Sequence, residues 1–238
     1  MMIAARNAML MSGSSTPTAR DYVQSGLVAM WDGIENAGWG THETAPTRWK
    51  NLIEDSPYPD FIVESGKTFG ADHLIVDGLS AESASAWPDS FSQLETCYRC
   101  DDGWAFFNVN IQRKLQWGIS HASSAFPQFS GSGAQGQNVF NYSEFAPGIH
   151  NSISIVYAAT GYSGAVSVWV NGENRLPTGT SRQLTTTPNV TCIGSRKGVS
   201  SAYNTATGIV NSIRLYSRAL TAAEVAANYA IDAARFGL

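Results

Sequence analysis

The apolar positions of this chain fall in short alternating runs divided by turn residues. "SISIVYAA" sets Ile153, Ile155 and Tyr157 on one face of a strand. "GAVSVWVNGENRL" sets Val166, Val168 and Val170 against Ser167 and Trp169. Asn171–Gly172 is the dipeptide favoured in two-residue hairpin turns, where both central residues take positive φ. Comparable runs are "GLVAMWDG", "TRWKNLI", "DFIVES", "HLIVDG", "FSQLETCYR", "GWAFFNVNI", "QWGISHA", "QNVFNYSEF" and "NVTCIGS". Strands at intervals of roughly 8–15 residues with turns between them predict an all-β sandwich or barrel.

The period changes once, in "IVNSIRLYSRALTAAEVAANY", residues 209–229. Ile213 and Leu215 share one strand face, Arg214 and Tyr216 the other. Thr221 to Glu224 is a capping box, with Val225 and Tyr229 four apart on a helical face. The spacing predicts a helix of about ten residues, which is marginal alone in water and must pack on the edge or flank of the sandwich.

Composition narrows the functional classes. The 238 residues suit one large domain, and 43% hydrophobic content can fill a core. Net charge is −4 with no basic run, which argues against nucleic acid as a partner. No segment approaches the roughly 20 apolar residues of a membrane span. "MMIAARNAMLMSGSSTPTA" has too short an apolar run for a secretory signal and reads as a flexible leader or a docking arm. The predicted division is therefore a leader over 1–20 and one domain over 21–238. Cys97, Cys100 and Cys192 are an odd set. On a strand the first two point to opposite faces, so all three are expected to be structural thiols.

The segment "GIVNSIRLYSRALTAAEVAANY" resembles the closing signature of the laminin-G-like, concanavalin A-like jelly-roll family. Gly208, Ile213, Arg214, Leu215, Tyr216, Arg218, Ala219, Leu220, Thr221, Glu224 and Val225 carry the likeness. "VSVWVNGE", "GLVAMWDG", "TRWKNLI" (with Asn51 where the family has an acid) and "HLIVDG" are similar to other family segments, in the right order. The resemblance covers roughly residues 22–236 and implies a two-sheet antiparallel jelly-roll sandwich with a short C-terminal α-helix. Members bind glycans or proteins, some with calcium, and others in the wider superfamily hydrolyse β-glucans; the fold alone does not choose.

A glycosidase needs two carboxylates flanking the bond. The glucanase branch carries Glu-x-Asp on one strand, and none of Glu35, Glu43, Glu54, Glu64, Glu82, Glu95, Glu144, Glu173 or Glu224 is followed two residues on by Asp. Cys97 stands where Glu95 would need that acid. "GSGAQG", residues 131–136, lacks the flanking strand and helix of a dinucleotide site. There is no GxSxG elbow and no HxH or HExxH pair. The chain is accordingly expected not to be an enzyme.

Glycan recognition calls for aromatic platforms and planar polar groups. Trp31, Trp49 and Trp169 occupy framework positions of the resembled family. Trp39, His42, Trp87 and Trp117 are the predicted ligand-binding residues, because loop residues carry function more often than framework ones. No cofactor is expected, although Asp32, Asp77, Asp101 and Asp102 could supply some calcium ligands. The expected partner is a surface glycan or glycoprotein, with virion or cell-surface subunits docking through residues 1–20. That setting follows a resemblance to phage, prophage and gut bacterial surface proteins, assembled from the cytoplasm without a signal peptide. Nothing in the sequence excludes a homo-oligomer. The alternatives are a structural decoration or assembly subunit without a sugar site, and a divergent glycoside hydrolase.

Overall fold

The computed structural model describes residues 16–88, 91–102, 107–111, 115–121, 125–129, 137–138, 148–156, 167–175, 191–194 and 206–238. Among these described residues, fifteen strands precede one α-helix. They are β1 (Leu27–Asp32), β2 (Arg48–Trp49), β3 (Phe61–Val63), β4 (Leu74–Asp77), β5 (Ala81–Ser83), β6 (Gln93–Asp102), β7 (Phe107–Ile111) and β8 (Leu115–His121). Then come β9 (Ala125–Phe129), β10 (Gln137–Asn138), β11 (His150–Val156), β12 (Ser167–Val170), β13 (Glu173–Arg175), β14 (Cys192–Ile193) and β15 (Thr207–Tyr216). Helix α1 spans Ala222–Phe236.

Two antiparallel sheets result, as the alternating runs predict. Sheet I has the order β1-β15-β6-β11-β12-β13, with β4 also on β15; sheet II has the order β10-β9-β8-β7-β14-β5-β3-β2. The inward faces meet in one core. Sheet I contributes Ala29, Trp31, Leu94, Tyr98, Ile153, Ile155, Val168, Val170, Ile213 and Leu215, and sheet II contributes Trp49, Phe61, Val63, Ala81 and Ile193. Alternation alone selects these positions. Asn171 and Gly172 turn from β12 to β13 with φ of 50° and 77°, the two positive values that the dipeptide predicts. Gly194 ends β14 at φ +91°, where an added Cβ would lie 1.8 Å from the Gly78 carbonyl oxygen. Only a residue without a side chain lets sheet II pass that close to the end of β4.

Helix α1 is longer than the expected ten residues, at 15. Its start follows the capping box: Glu224 N–H donates to Thr221 Oγ1 at 3.3 Å, and Thr221 N–H donates to Glu224 Oε2 at 2.8 Å. Arg218 forks onto the same carboxylate at 2.9 and 2.6 Å. Arg218 first, and the Thr221 N–H next, pull the Glu224 pKa down to about 2. Gly237 closes the helix in the left-handed conformation, its N–H donating to the Ala233 carbonyl at 3.0 Å. The extra turn carries Asp232, Arg235 and Phe236 onto the protein, all buried.

The packed chain also begins before residue 21. Thr18 caps a single 3-10 turn, Ala19–Asp21, and Ala19 and Tyr22 are buried with Met30 and Leu52. Residues 1–15 of the predicted leader lie outside the described residues.

Candidate functional site

The outward faces of the two sheets differ. On sheet I the outward row of β15 is Ser212, Arg214 and Tyr216, flanked by Asp32 of β1, Gln93 and Glu95 of β6, and Ser152 and Ser154 of β11. All are buried, because α1 and the segment 18–27 lie across them. Arg214 donates to Asp232 at 2.8 Å through both Nη1 and Nη2, and to Glu95 Oε2 through Nε at 3.2 Å. Its guanidinium also stacks 4.0 Å from the Tyr22 ring centroid. Arg235 forks onto Asp32 at 2.6 and 3.0 Å. Asn228 donates to Glu95 at 2.8 Å and to the Tyr216 hydroxyl at 2.9 Å. Gln93 takes the Leu220 N–H at 2.6 Å and donates to Ser154 and Glu95.

Three carboxylates thus meet two guanidiniums out of water. Burial pushes the Glu95 and Asp32 carboxyls up, against the pull of Arg214 on the first and Arg235 on the second. Glu95 and Asp232 converge on one arginine, but each is at most 2% exposed and no substrate reaches them. The network fixes the helix. Asp32, weighed above as a calcium ligand, spends its oxygens on Arg235 and on the N–H groups of Ile34 and Glu35. Among the described residues no group of three or more His, Cys, Asp or Glu is placed to hold a metal ion.

Cys97, His150 and Asn211 lie together farther along this face and resemble a nucleophile, a base and its orienting amide. The geometry gives them another role. Asn211 donates its amide to the Asp72 carbonyl at 3.3 Å, which leaves Oδ1 to accept from His150 Nε2 at 2.7 Å. The nitrogen facing the Cys97 sulfur at 3.5 Å is therefore the protonated one and takes no proton from the thiol. Burial raises the Cys97 pKa well above its ordinary value and lowers that of His150. Cys97 lies on the outward side of β6 and Cys100 in the core, as strand alternation predicts, and all three cysteines are buried.

Sheet II presents a different face. One register line crosses all eight strands: Arg48, Ile62, Glu82, Cys192, Asn108, Gly118, Gln128 and Asn138. Ile62 is 37% exposed and Arg48 is exposed at the β2–β3 end of this line, whereas Cys192 midway along it is buried; the neighbouring line through Ala81 and Ile193 belongs to the core. The same parity adds Asn110, Gln116, Ser120 and Phe126. Five carboxamides, one hydroxyl, one aromatic ring and a central glycine thus share one face of β7 to β10. Carboxamides both donate and accept, which suits a ligand of hydroxyl groups. Sequence reading misses this face, because the signal is two-dimensional: "FNVNI", "LQWGISH" and "AFPQF" disclose a shared polar row only once their register is known.

The structure distributes the four predicted site residues. Trp87 is 3% exposed and stacks on Trp31 with centroids 5.2 Å apart at 5°, with Tyr58, Phe61 and Phe91 at its edges. The expected surface residue is a core residue, its large apolar ring turned inward. Trp117 pairs with Val109 and Phe129 in the lines that share parity with Ile193 of the core, not with Gln116 and Gly118. Trp39 and His42 do come together on one loop. Trp39 is half-buried against the small cluster beneath α1, with the Arg20 guanidinium 4.1 Å from its ring centroid. His42 is exposed, its Nδ1 3.1 Å from the carbonyls of Gly33 and Ile34. Trp31 and Trp49 fill the core and Trp169 packs beneath the helix start, which suits framework positions. "GSGAQG" lies outside the described residues.

Comparison with family models gives no match, and comparison with curated proteins gives none either. Solved structures do share the fold. A sialidase from Trypanosoma rangeli in complex with sialic acid superposes with a TM-score of 0.55 at 16% identity, over 91% of this chain and 34% of the other. A mutant of that enzyme displaying trans-sialidase activity gives 0.56 at 15%, over 91% and 34%. A mutant of HCR/D, a clostridial toxin receptor-binding domain chain, gives 0.57 at 9%, over 86% and 51%. The chain therefore spans about a third of the sialidases and about half of the HCR/D chain. At these identities the likeness is one of fold. The expectation that the chain is no enzyme does not stand: the chains sharing its fold include sialidases, which are enzymes, over about a third of their length.

Proposed function

We propose that this domain recognises glycans through the outward face of sheet II. The observation carrying the reading is the register of β7 to β10, which sets Asn108, Asn110, Gln116, Gln128 and Asn138 at strand positions of one parity. Neighbours of sialidase and receptor-binding type are compatible with it. The laminin-G-like resemblance of residues 208–225 adds sequence support, as does the helix cap that those residues build. The Trp39–His42 loop, beneath the opposite sheet's helix, is the second surface at which a sugar could be held. The surface-assembly setting, with residues 1–20 as a docking arm to virion or cell-surface subunits, belongs to the same proposal and rests on sequence resemblance.

The test is binding of the full chain to an immobilised glycan array. Binding to at least one glycan is expected, with loss in Asn108→Ala at unchanged thermal stability. No binding to any glycan favours the structural-subunit reading instead. Truncation for the assembly test should stop before Thr18, because Ala19 is part of the fold.

A further inference from the structure

Resting on the glycan reading, and deepening it at the Trp39–His42 loop, we infer that Arg20 anchors the oxyanion of an acidic sugar, a carboxylate or a sulfate ester. Arg20 differs from every other lysine and arginine among the described residues in having no carboxylate against it. The others are paired, from the exposed Lys50 on Asp60 at 2.9 Å to the buried Arg235 on Asp32 at 2.6 Å. Arg20 is exposed and is held instead over the indole of Trp39, its guanidinium carbon 4.1 Å from the ring centroid. Stacking occupies the flat face of a guanidinium and leaves the N–H groups in its plane free to donate. It also fixes a long side chain in place, so less freedom is lost when an anion binds. A carboxylate or a sulfate matches that fork with two parallel hydrogen bonds.

The surroundings leave the fork accessible. Trp39 sits at the tip of a tight hairpin, where Thr41 N–H donates to the Gly38 carbonyl at 2.9 Å and Gly38 N–H to the Glu35 carbonyl at 3.2 Å. Glu35 Oε2 takes the Gly40 N–H at 2.8 Å, which fixes the tip and engages that carboxylate. Asp21, next to Arg20 in the chain, accepts from the Thr18 N–H at 2.6 Å and from its hydroxyl at 2.9 Å. Both acids are thus bonded away from the guanidinium. On either side of Trp39 in the chain, Gly38 and Gly40 face open space: a Cβ added at either would meet nothing within 4 Å. His42, exposed on the same loop, donates from Nδ1 toward the Gly33 and Ile34 carbonyls, which leaves Nε2 for a sugar hydroxyl. One exposed fork supplies about five-fold in affinity, so the contact selects acidic sugars and does not by itself hold a glycan tightly.

The experiment is a titration of the full chain followed by NMR at the Trp39 indole N–H, which Trp39→Phe identifies. The probes are sialyllactose, a galacturonate oligomer, a sulfated galactose and neutral lactose, with acetate and inorganic sulfate as bare anions, at low and high salt. At least one acidic sugar is expected to shift the indole resonance. Its affinity should fall about five-fold in Arg20→Gln, fall similarly at high salt, and stay unchanged in Asn108→Ala. The probe that acts distinguishes carboxylate from sulfate. Lactose acting as strongly as the acidic sugars, or equal affinities in Arg20→Gln and the parent, overturns the inference and leaves the glycan reading standing. Acetate or sulfate binding as tightly as the acidic sugars assigns a bare anion site and overturns it too. An indole unresponsive to every probe overturns the inference alone if the array shows binding, and both readings if it does not.

Discussion

The two outward faces of this sandwich are built from the same alternation and put to opposite uses. On sheet I the outward positions are charged and sealed: Arg214, Glu95, Asp232, Asp32 and Arg235 are buried beneath α1 and bond to one another. On sheet II the register of β7 to β10 brings five carboxamide residues to positions of one parity. A charge network under a helix gives orientation, since each partner has one place to go. It gives little net stability relative to an apolar interface, but removing one member leaves the others stranded. Polarity alone thus says little about function; on sheet I the hydrogen bonds close among the side chains themselves.

The largest effects should come from sheet I and the core. Arg214→Met strands two buried carboxylates and should lower stability by about 3–5 kcal/mol, read from denaturant unfolding. Trp87→Ala should cost a similar ~3–5 kcal/mol by opening a cavity beside Trp31. Trp87→Phe keeps a ring and removes an indole N–H that is buried without a partner, so its cost should be under about 2 kcal/mol. Equal losses in the two Trp87 variants would mean that the indole N–H has a partner after all.

Smaller effects sharpen the picture. Thr221→Ala deletes the helix cap and should cost about 1 kcal/mol. The capping carboxylate of Glu224 adds a pH signature. Its folded-state pKa is depressed, so its contribution is present above the ordinary value near 4.5 and is lost as pH falls toward about 2. His150 acts in the same direction at higher pH. Burial lowers its folded-state pKa, so the unfolded chain takes up the proton more readily. Stability is full above about pH 6.5 and declines on acidification through that range. In His150→Gln the slope between pH 7 and pH 5.5 should flatten, while an unchanged slope would place the titration elsewhere. On sheet II, Asn108→Ala should remove glycan binding on the array while the fold is retained, read from an unchanged unfolding transition.

Much of this architecture was legible along the chain. Period-two runs place Ile153, Ile155, Val168, Val170, Ile213 and Leu215 in the core, and the Thr221–Glu224 box starts the helix where it predicts. Asn51, standing where the resembled family has an acid, shows why an amide serves there. It accepts from the Met30 and Ile53 N–H groups at 3.0 and 3.1 Å and also donates to the Tyr58 carbonyl at 2.8 Å, which a carboxylate cannot do. The partners of Arg214 were not legible, because Glu95 and Asp232 come from strands and a helix far apart in sequence. Trp87 misled because a Pro-flanked turn and a core aromatic share the same local text. The candidate site was the least legible part, since it exists only in the register between strands.

Backbone hydrogen exchange of the full chain, with and without the strongest glycan from the array, tests the contrast between the two faces most directly. Added protection confined to residues 107–129 of sheet II, with α1 and β15 unchanged, is the predicted result. Protection centred on α1 or on the loop around Trp39 would contradict it.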